Sequence, residues 1–274
     1  MKDNPPRLAA RHSGFTLVEL VVVIAITGII AASLVVFFRP AVDSYVATRR
    51  RAELTDIADS ALRRIARDLR SAVPNSIRQP NSQCFEFVPS SSGGRYRLAP
   101  DSAAPTAYYM DGNSLADAFD LLSPLSSTPA VGDWVVINNQ YSGDIYAGVN
   151  RAAIKAPLPD TSSGHGRITL STSLDPHGYA GGRFVVVPNA QQAVFYTCES
   201  GTLYRIVSSF AAPNTCPSTV GATGVLARQV RRCNFDYSPS DGATQQGLIW
   251  MQVELGDENE SVTLSFGVHV DNVP

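Results

Sequence analysis

The sequence predicts an α+β chain: a long N-terminal helix, first membrane-crossing and then amphipathic, packed on a mostly antiparallel β domain. Three observations predict it. Residues Phe15 to Phe38 form an apolar run interrupted only by Thr, Ser, Gly and the single Glu19. Apolar residues then recur at three- and four-residue spacing as far as Leu69. From Cys84 onward, short apolar segments alternate with Gly, Pro, Ser and Asn. The first two patterns are helical and the third is that of strands and turns, and a helix stripe and a half-apolar sheet each need the other as cover.

The run from 15 to 38 holds about 24 residues, enough at ~1.5 Å per residue to cross a hydrocarbon core of ~30 Å. A cleaved secretory signal has a shorter apolar region followed by a small-residue site. Ala31-Ala32-Ser33 imitates such a site, but Leu34-Val35-Val36-Phe37-Phe38 carries the run past it. Lys2, Arg7 and Arg11 precede the segment, and Arg39, Arg49, Arg50 and Arg51 follow it, so positive charge alone does not orient it.

Residues 39–73 read as the helix continuing beyond the membrane. Leu54, Ile57, Ala58, Ala61, Leu62, Ile65 and Leu69 make one stripe, Asp59 and Arg63 form an acid-then-base pair four apart, and Pro74 ends the helix. Pro40 is expected to kink it. Arg49-Arg50-Arg51 is a solvated flank or a grip on anionic lipid or acidic neighbours.

Residues 74–274 read as the β-rich domain. Strands are expected at Cys84–Val88, Arg95–Leu98, Trp134–Asn138, Arg167–Ser171, Arg183–Val187, Ala193–Thr197, Leu203–Val207, Gln229–Tyr237, Ile249–Leu255 and Val262–Val268. The last two alternate well and are joined by a charged hairpin loop, 256–260. Residues 99–131, rich in Ser, Ala and Pro, read as a variable surface insertion with a weak helical hint at Leu115–Leu122.

All four cysteines follow the apolar run, and none stands in a CxxC spacing, so disulfides in an oxidising compartment are expected. Cys198 and Cys216 bracket a short loop. Cys84 and Cys233 open similar segments, Cys84-Phe85-Glu86-Phe87 and Cys233-Asn234-Phe235-Asp236-Tyr237. The expected pairs are therefore Cys198–Cys216 and Cys84–Cys233, out of three possible connectivities.

A formal charge of -2 gives no basic field for nucleic acid. No HExxH, GxSxG or GxxxxGK[ST] occurs, and His12, His165, His177 and His269 are scattered, so no catalytic residue, metal site or cofactor is expected. Asp257, Glu258 and Glu260 do not have the calcium-loop spacing. Tyr108, Tyr109, Tyr141 and Tyr146 are candidate exposed contacts for a binding surface.

Gly14-Phe15-Thr16-Leu17-Val18-Glu19, with a polar, basic leader before it and a membrane-length helix after it, resembles the type III signal of type IV pilins and type II secretion pseudopilins. The resemblance implies a pilin-like fold and a leader of residues 1–14. It also implies cleavage by a prepilin peptidase after Gly14 and methylation of the new N-terminus at Phe15. Its partners would be other pilins or pseudopilins through the N-terminal helix, an inner-membrane assembly platform and lipid. Its place would be the inner membrane of a Gram-negative bacterium as a single-pass protein with a periplasmic C-terminal domain, and then the pilus or pseudopilus. In such a filament Glu19 would meet the Phe15 amine of a neighbour. A lone charge deep in lipid costs about 2.5–3.5 kcal/mol, so a wrong register would be penalised.

The stretch from Arg50 to Ser76, centred on Arg63-Arg64-Ile65-Ala66-Arg67-Asp68-Leu69-Arg70, is similar to minor pilins of the mannose-sensitive haemagglutinin (MSHA) pilus, O component, and to J-type pseudopilins. Weaker likeness continues at Cys84-Phe85-Glu86-Phe87 and Tyr196-Thr197-Cys198. Many major pilins have a proline eight places after Gly28, where Val36 stands here, and Pro40 takes its place four residues later. The expected function is that of a minor subunit acting in assembly initiation or at the tip. The alternatives are a J-type pseudopilin or a tip adhesin for glycan, surface or DNA.

Overall fold

The computed structural model describes residues 14–158, 165–211, 213–239, 246–258 and 260–273. Residues 1–13, which hold most of the expected leader and His12, therefore lie outside the described residues. Among the described residues, one long helix, α1 (Leu17–Arg70), is followed by fourteen strands, a single-turn α-helix and a short 3-10 turn at Asn189–Gln191. Two compact units divide at Arg50 and Arg51.

In the first unit the helix runs through Pro40 without a break. The large apolar side chains from Phe15 to Phe38 are exposed, and the helix is long and apolar enough to cross a membrane. Two hydroxyls inside the apolar run are satisfied locally. Thr27 Oγ1 donates to the Val23 carbonyl at 2.6 Å and Ser33 Oγ to that of Ile29 at 2.8 Å. Each side chain thus bonds back onto the preceding turn and needs no water, which is what a lipid environment requires.

In the second unit, Leu54, Ala58, Ala61, Leu62, Ile65, Ala66 and Leu69 are buried. Ile57, expected in that stripe, is 37% exposed, and Ala66 belongs to it instead. The helix ends at Arg70, three residues before the expected limit. A tighter turn follows, in which Ser71 and Ala72 donate to the carbonyls of Asp68 and Leu69.

Three antiparallel sheets follow. The first has the order β1-β2-β9-β10-β11, formed by β1 (Arg78–Asn81), β2 (Cys84–Phe87), β9 (Ala193–Glu199), β10 (Thr202–Ser208) and β11 (Val225–Arg228). The second is the meander β12 (Val230–Ser238), β13 (Gln246–Gly256) and β14 (Ser261–Asp271). The third has the order β3-β8-β5-β6-β7-β4: β3 (Ser92–Arg95), β4 (Ala116–Asp120), β5 (Trp134–Val136), β6 (Arg151–Leu158), β7 (Arg167–Leu174) and β8 (Arg183–Val187). All six strands of the third sheet lie in sequence between β2 and β9. The insertion is therefore a whole sheet with its own core, built around Phe119, Ile154, Ile168 and Phe184, and is not the surface loop expected at 99–131. The helical hint at Leu115–Leu122 is overturned by β4, which pairs with β7 and buries Phe119 and Asp120. Of the expected strand Arg95–Leu98, only Arg95 belongs to β3.

Strand alternation gives the first sheet two apolar faces. Phe85 lies opposite Tyr196 and Phe87 opposite Val194. These side chains share the core beneath α1 with Ile249, Met251, Val253 and Leu255 of the second sheet. Phe85 meets Phe235 edge-on at 4.9 Å, which locks the first and second sheets together. Gln79 joins them at their edges: its amide accepts from Tyr237 N at 2.9 Å and donates to Phe235 O at 2.6 Å, as a strand backbone would. The opposite face carries Cys84, Ala193 and Phe195 and packs on Val136, Ile145, Tyr146 and Val187 of the inserted segment.

This two-faced sheet corrects the expected disulfides. Cys84 lies opposite Thr197, so it shares a face with Thr197 and turns away from the core that holds Cys198 and Cys233. The bonds are Cys84–Cys216 and Cys198–Cys233, with Cα separations of 6.2 and 6.3 Å, inside the usual range. The pairs Cys198–Cys216 and Cys84–Cys233 would each have to join opposite faces of one sheet.

On the Cys84 face, Glu86 is fully buried opposite Arg78, whose Nε donates to its Oε2 at 3.1 Å. The Arg78 guanidinium also lies 3.4 Å from the centre of the Tyr146 ring. Burial pushes the Glu86 carboxyl up to about 7, against the opposing pull of Arg78. The ordinary value is 4.5, so between these limits the folded chain holds a proton that the unfolded chain has released. Stability from this group is complete below the lower limit and is lost as pH rises through the upper one. Melting temperature should therefore fall between pH ~5 and ~8, and Glu86→Gln should flatten that slope. Thermal melts across this range check it, and an unchanged slope in Glu86→Gln would assign the pH dependence elsewhere.

Candidate processing and assembly site

Gly14, Phe15 and Thr16 precede the first helical residue, Leu17. Gly14 stands in open space: a Cβ added there would meet nothing within 4 Å. Its backbone is not in the left-handed region either, so the fold itself does not demand glycine here. Phe15 is 85% exposed.

Thr16 and Glu19 are spaced as a helix cap, Ser/Thr-x-x-Glu. The Thr16 hydroxyl accepts a hydrogen bond from Glu19 N at 3.3 Å, satisfying one of the unpaired N–H groups of the first turn. The Glu19 carboxylate lies in that turn, where the helix dipole favours negative charge. Reading Glu19 only as an intruding charge misses Thr16, although the three-residue spacing is visible in the sequence. The capping bond uses the main chain of Glu19 and leaves its carboxylate available to another group.

The start of the second unit is tied to the meander. Arg51 Nε donates to Glu260 Oε2 at 2.6 Å, and its Nη2 to Oε1 at 3.2 Å. Arg51 thus meets an acid of its own chain. At the other end of the helix, Asp68 Oδ2 accepts from the Tyr196 hydroxyl and from Arg205 Nε, both at 2.8 Å. Burial and the Asp68 charge both push the Tyr196 phenol above its ordinary range.

Tyr108, Tyr109 and Tyr141 are exposed. Tyr146 is not: it is 3% exposed and its hydroxyl donates to the Ser76 carbonyl. It is a core residue because α2 (Asp144–Ala147) turns it inward with Ile145. Among the described residues no three His, Cys, Asp or Glu side chains gather as a metal site. Near the hairpin tip, Glu260 is held by Arg51, and Asp257 Oδ1 accepts from Glu260 N.

Residues 9–35 match the family model described as the prokaryotic N-terminal methylation motif. Over 96 residues the chain is 37% identical to the type IV major fimbrial protein FimA of Dichelobacter nodosus strain VCS1703A. It matches a second FimA from Dichelobacter nodosus with the same identity over the same length. The alignment covers 35% of this chain and 55% of the fimbrial protein, so the chain spans about half the length of the curated relatives it matches. No solved structure matches it.

Proposed function

We propose that this type IV pilin-like chain is a structural subunit and not an enzyme, processed between Gly14 and Phe15 and assembled through its N-terminal helix. Residues 1–14 are the leader that a prepilin peptidase removes. Residues 15–38 hold the chain in the inner membrane, residues 39–73 continue the helix on the periplasmic side, and residues 74–274 are the exposed domain. The observation that carries this reading is the methylation motif across 9–35, coinciding with the apolar 15–38 run, whose side chains are exposed among the described residues. In a filament those side chains find cover against other subunits, and an assembly platform in the membrane would extract and stack them.

A minor subunit of an MSHA-like pilus, placed at initiation or at the tip, suits the chain better than the shaft. The aligned segment is a smaller share of this chain than of the fimbrial protein, so this chain is the longer one. It also carries a complete extra sheet between β2 and β9. Exposed Tyr108, Tyr109 and Tyr141 favour a second role for the domain as an adhesive surface. A J-type secretion pseudopilin would share the same processing and helix, and is separated by whether the subunit reaches surface filaments.

The processing test is direct. Intact-mass and N-terminal analysis of membrane-purified protein should show a chain starting at N-methyl-Phe15. Gly14→Val should block cleavage and Gly14→Ala should permit it, although the open space at Gly14 accepts either side chain. A mature chain that begins at Leu34 or retains Met1 would overturn the reading.

A further inference from the structure

Beside the end of α1, the apolar face of the inserted sheet is left partly unroofed. There a cleft of about 340 Å³ opens. Val136 and Val185, opposite each other on β5 and β8, form its floor, while Val73, Pro74 and Val273 supply the wall. Gly93 lies opposite Val185 on β3 and keeps the floor open. A Cβ there would come within 2.8 Å of the Phe184 carbonyl oxygen.

On the same face, one step along β3 and β8, Arg95 lies directly opposite Arg183, and both line the cleft. Like charges directly opposite one another in a sheet repel. Neither has a carboxylate partner among the described residues. Both also lie near the phenol of Tyr179, which burial pushes above its ordinary range against their opposing pull. The nearby amides are already engaged: Asn139 Nδ2 donates to Pro74 O, and Asn138 Nδ2 to Pro176 O. The cleft therefore offers an apolar bed and two cations, with few free groups for hydroxyls. That excludes a sugar and a metal cation and calls for an anion with an apolar body.

We propose that this cleft binds a small amphiphilic monoanion, its carboxylate or equivalent head held between Arg95 and Arg183 and its apolar body laid on the half-buried Val185, Pro74 and Val273. Binding relieves the cross-strand repulsion and covers the open floor at once. The volume falls in the range of small-molecule sites, ~300–1,000 Å³.

The test uses the full chain in neutral phosphatidylcholine nanodiscs with two probes of equal shape, 2-naphthoate and 2-naphthylmethanol, followed by saturation-transfer NMR and thermal shift. Naphthoate should bind the wild type at least ~10-fold more tightly than the alcohol, the least that one lost charge-assisted contact implies. It should also raise the melting temperature. R95Q/R183Q should melt no lower than the wild type without ligand and should lose the naphthoate preference. Equal binding of the two probes, no binding of naphthoate, or an undiminished preference in the double variant would overturn the proposal. So would an acidic hexapeptide binding where naphthoate does not, which would assign the face to a protein partner. The comparison of the two probes on the wild type decides the matter even if the variant fails to fold.

Discussion

Glu19→Val should lower incorporation of this subunit into sheared surface filaments by ~10-fold or more, while its level in the membrane stays unchanged. The expected size follows from leaving a neighbour's Phe15 amine unpaired in a medium of low dielectric, where even 1.4 kcal/mol is tenfold. Folding should be spared for a specific reason: the capping hydrogen bond to Thr16 uses Glu19 N and survives the substitution. What the single subunit loses is the favourable placement of negative charge at the helix start, ~0.3–1 kcal/mol. It gains from removing a charge from lipid. Thr16→Val is the complementary variant. It removes the cap, worth ~1 kcal/mol, and keeps the carboxylate, so it should leave incorporation close to wild type. If Thr16→Val fails as badly as Glu19→Val, the helix start and not the carboxylate governs assembly. Wild-type incorporation of Glu19→Val would remove the pairing role altogether.

Removing either disulfide should be the largest blow to the folded body. The 35-residue separation of Cys198 and Cys233 corresponds to about 4 kcal/mol in the chain-entropy model. The 132-residue separation of Cys84 and Cys216 corresponds to about 5 kcal/mol. For a domain of this size each double Cys→Ala variant should melt about 10 °C lower or more. Cys198–Cys233 joins β9 to β12 inside the core beneath the helix, so its loss should also loosen the packing of Phe85 on Phe235. Non-reducing peptide mapping should recover 84 with 216 and 198 with 233. Recovery of Cys198 joined to Cys216 would restore the pairing that spacing suggests.

Where cover is one-sided, the period of an element is legible in the sequence. The stripe on α1 and the alternation in β13 and β14 each have one face on the core and one in water, so their periods show. In the inserted sheet β5, β7 and β8 are legible in the sequence, whereas β4 and β6 are not. β4 (Ala-Asp-Ala-Phe-Asp) and β6 (Arg-Ala-Ala-Ile-Lys-Ala-Pro-Leu) are rich in Ala and carry charge or Pro. They are strands because β7 lies between them and pairs with both. The cysteine pairing failed for a related reason. Resemblance between two segments does not say which face of a sheet each cysteine takes, and the register Cys84 opposite Thr197 decides it. The motif from Gly14 to Glu19 was legible because it is contiguous. The cleft was not, since its walls come from residues near 73, 93, 136, 183 and 273.

The inserted sheet leaves and rejoins the chain at neighbouring strands: β2 and β9 pair directly, with Phe87 opposite Val194. A segment whose two ends meet can be exchanged for another of different length at small entropic cost, because closure entropy grows only slowly with loop length. The helix and the other two sheets are threaded without it. This junction is a graft point, where one exposed module can be traded for another without redesigning the helix and the two sheets packed with it. The graft carries one condition. Whatever is placed there must bring an apolar face of its own, as Val136, Ile145 and Val187 do, to shield Cys84, Ala193 and Phe195 from water.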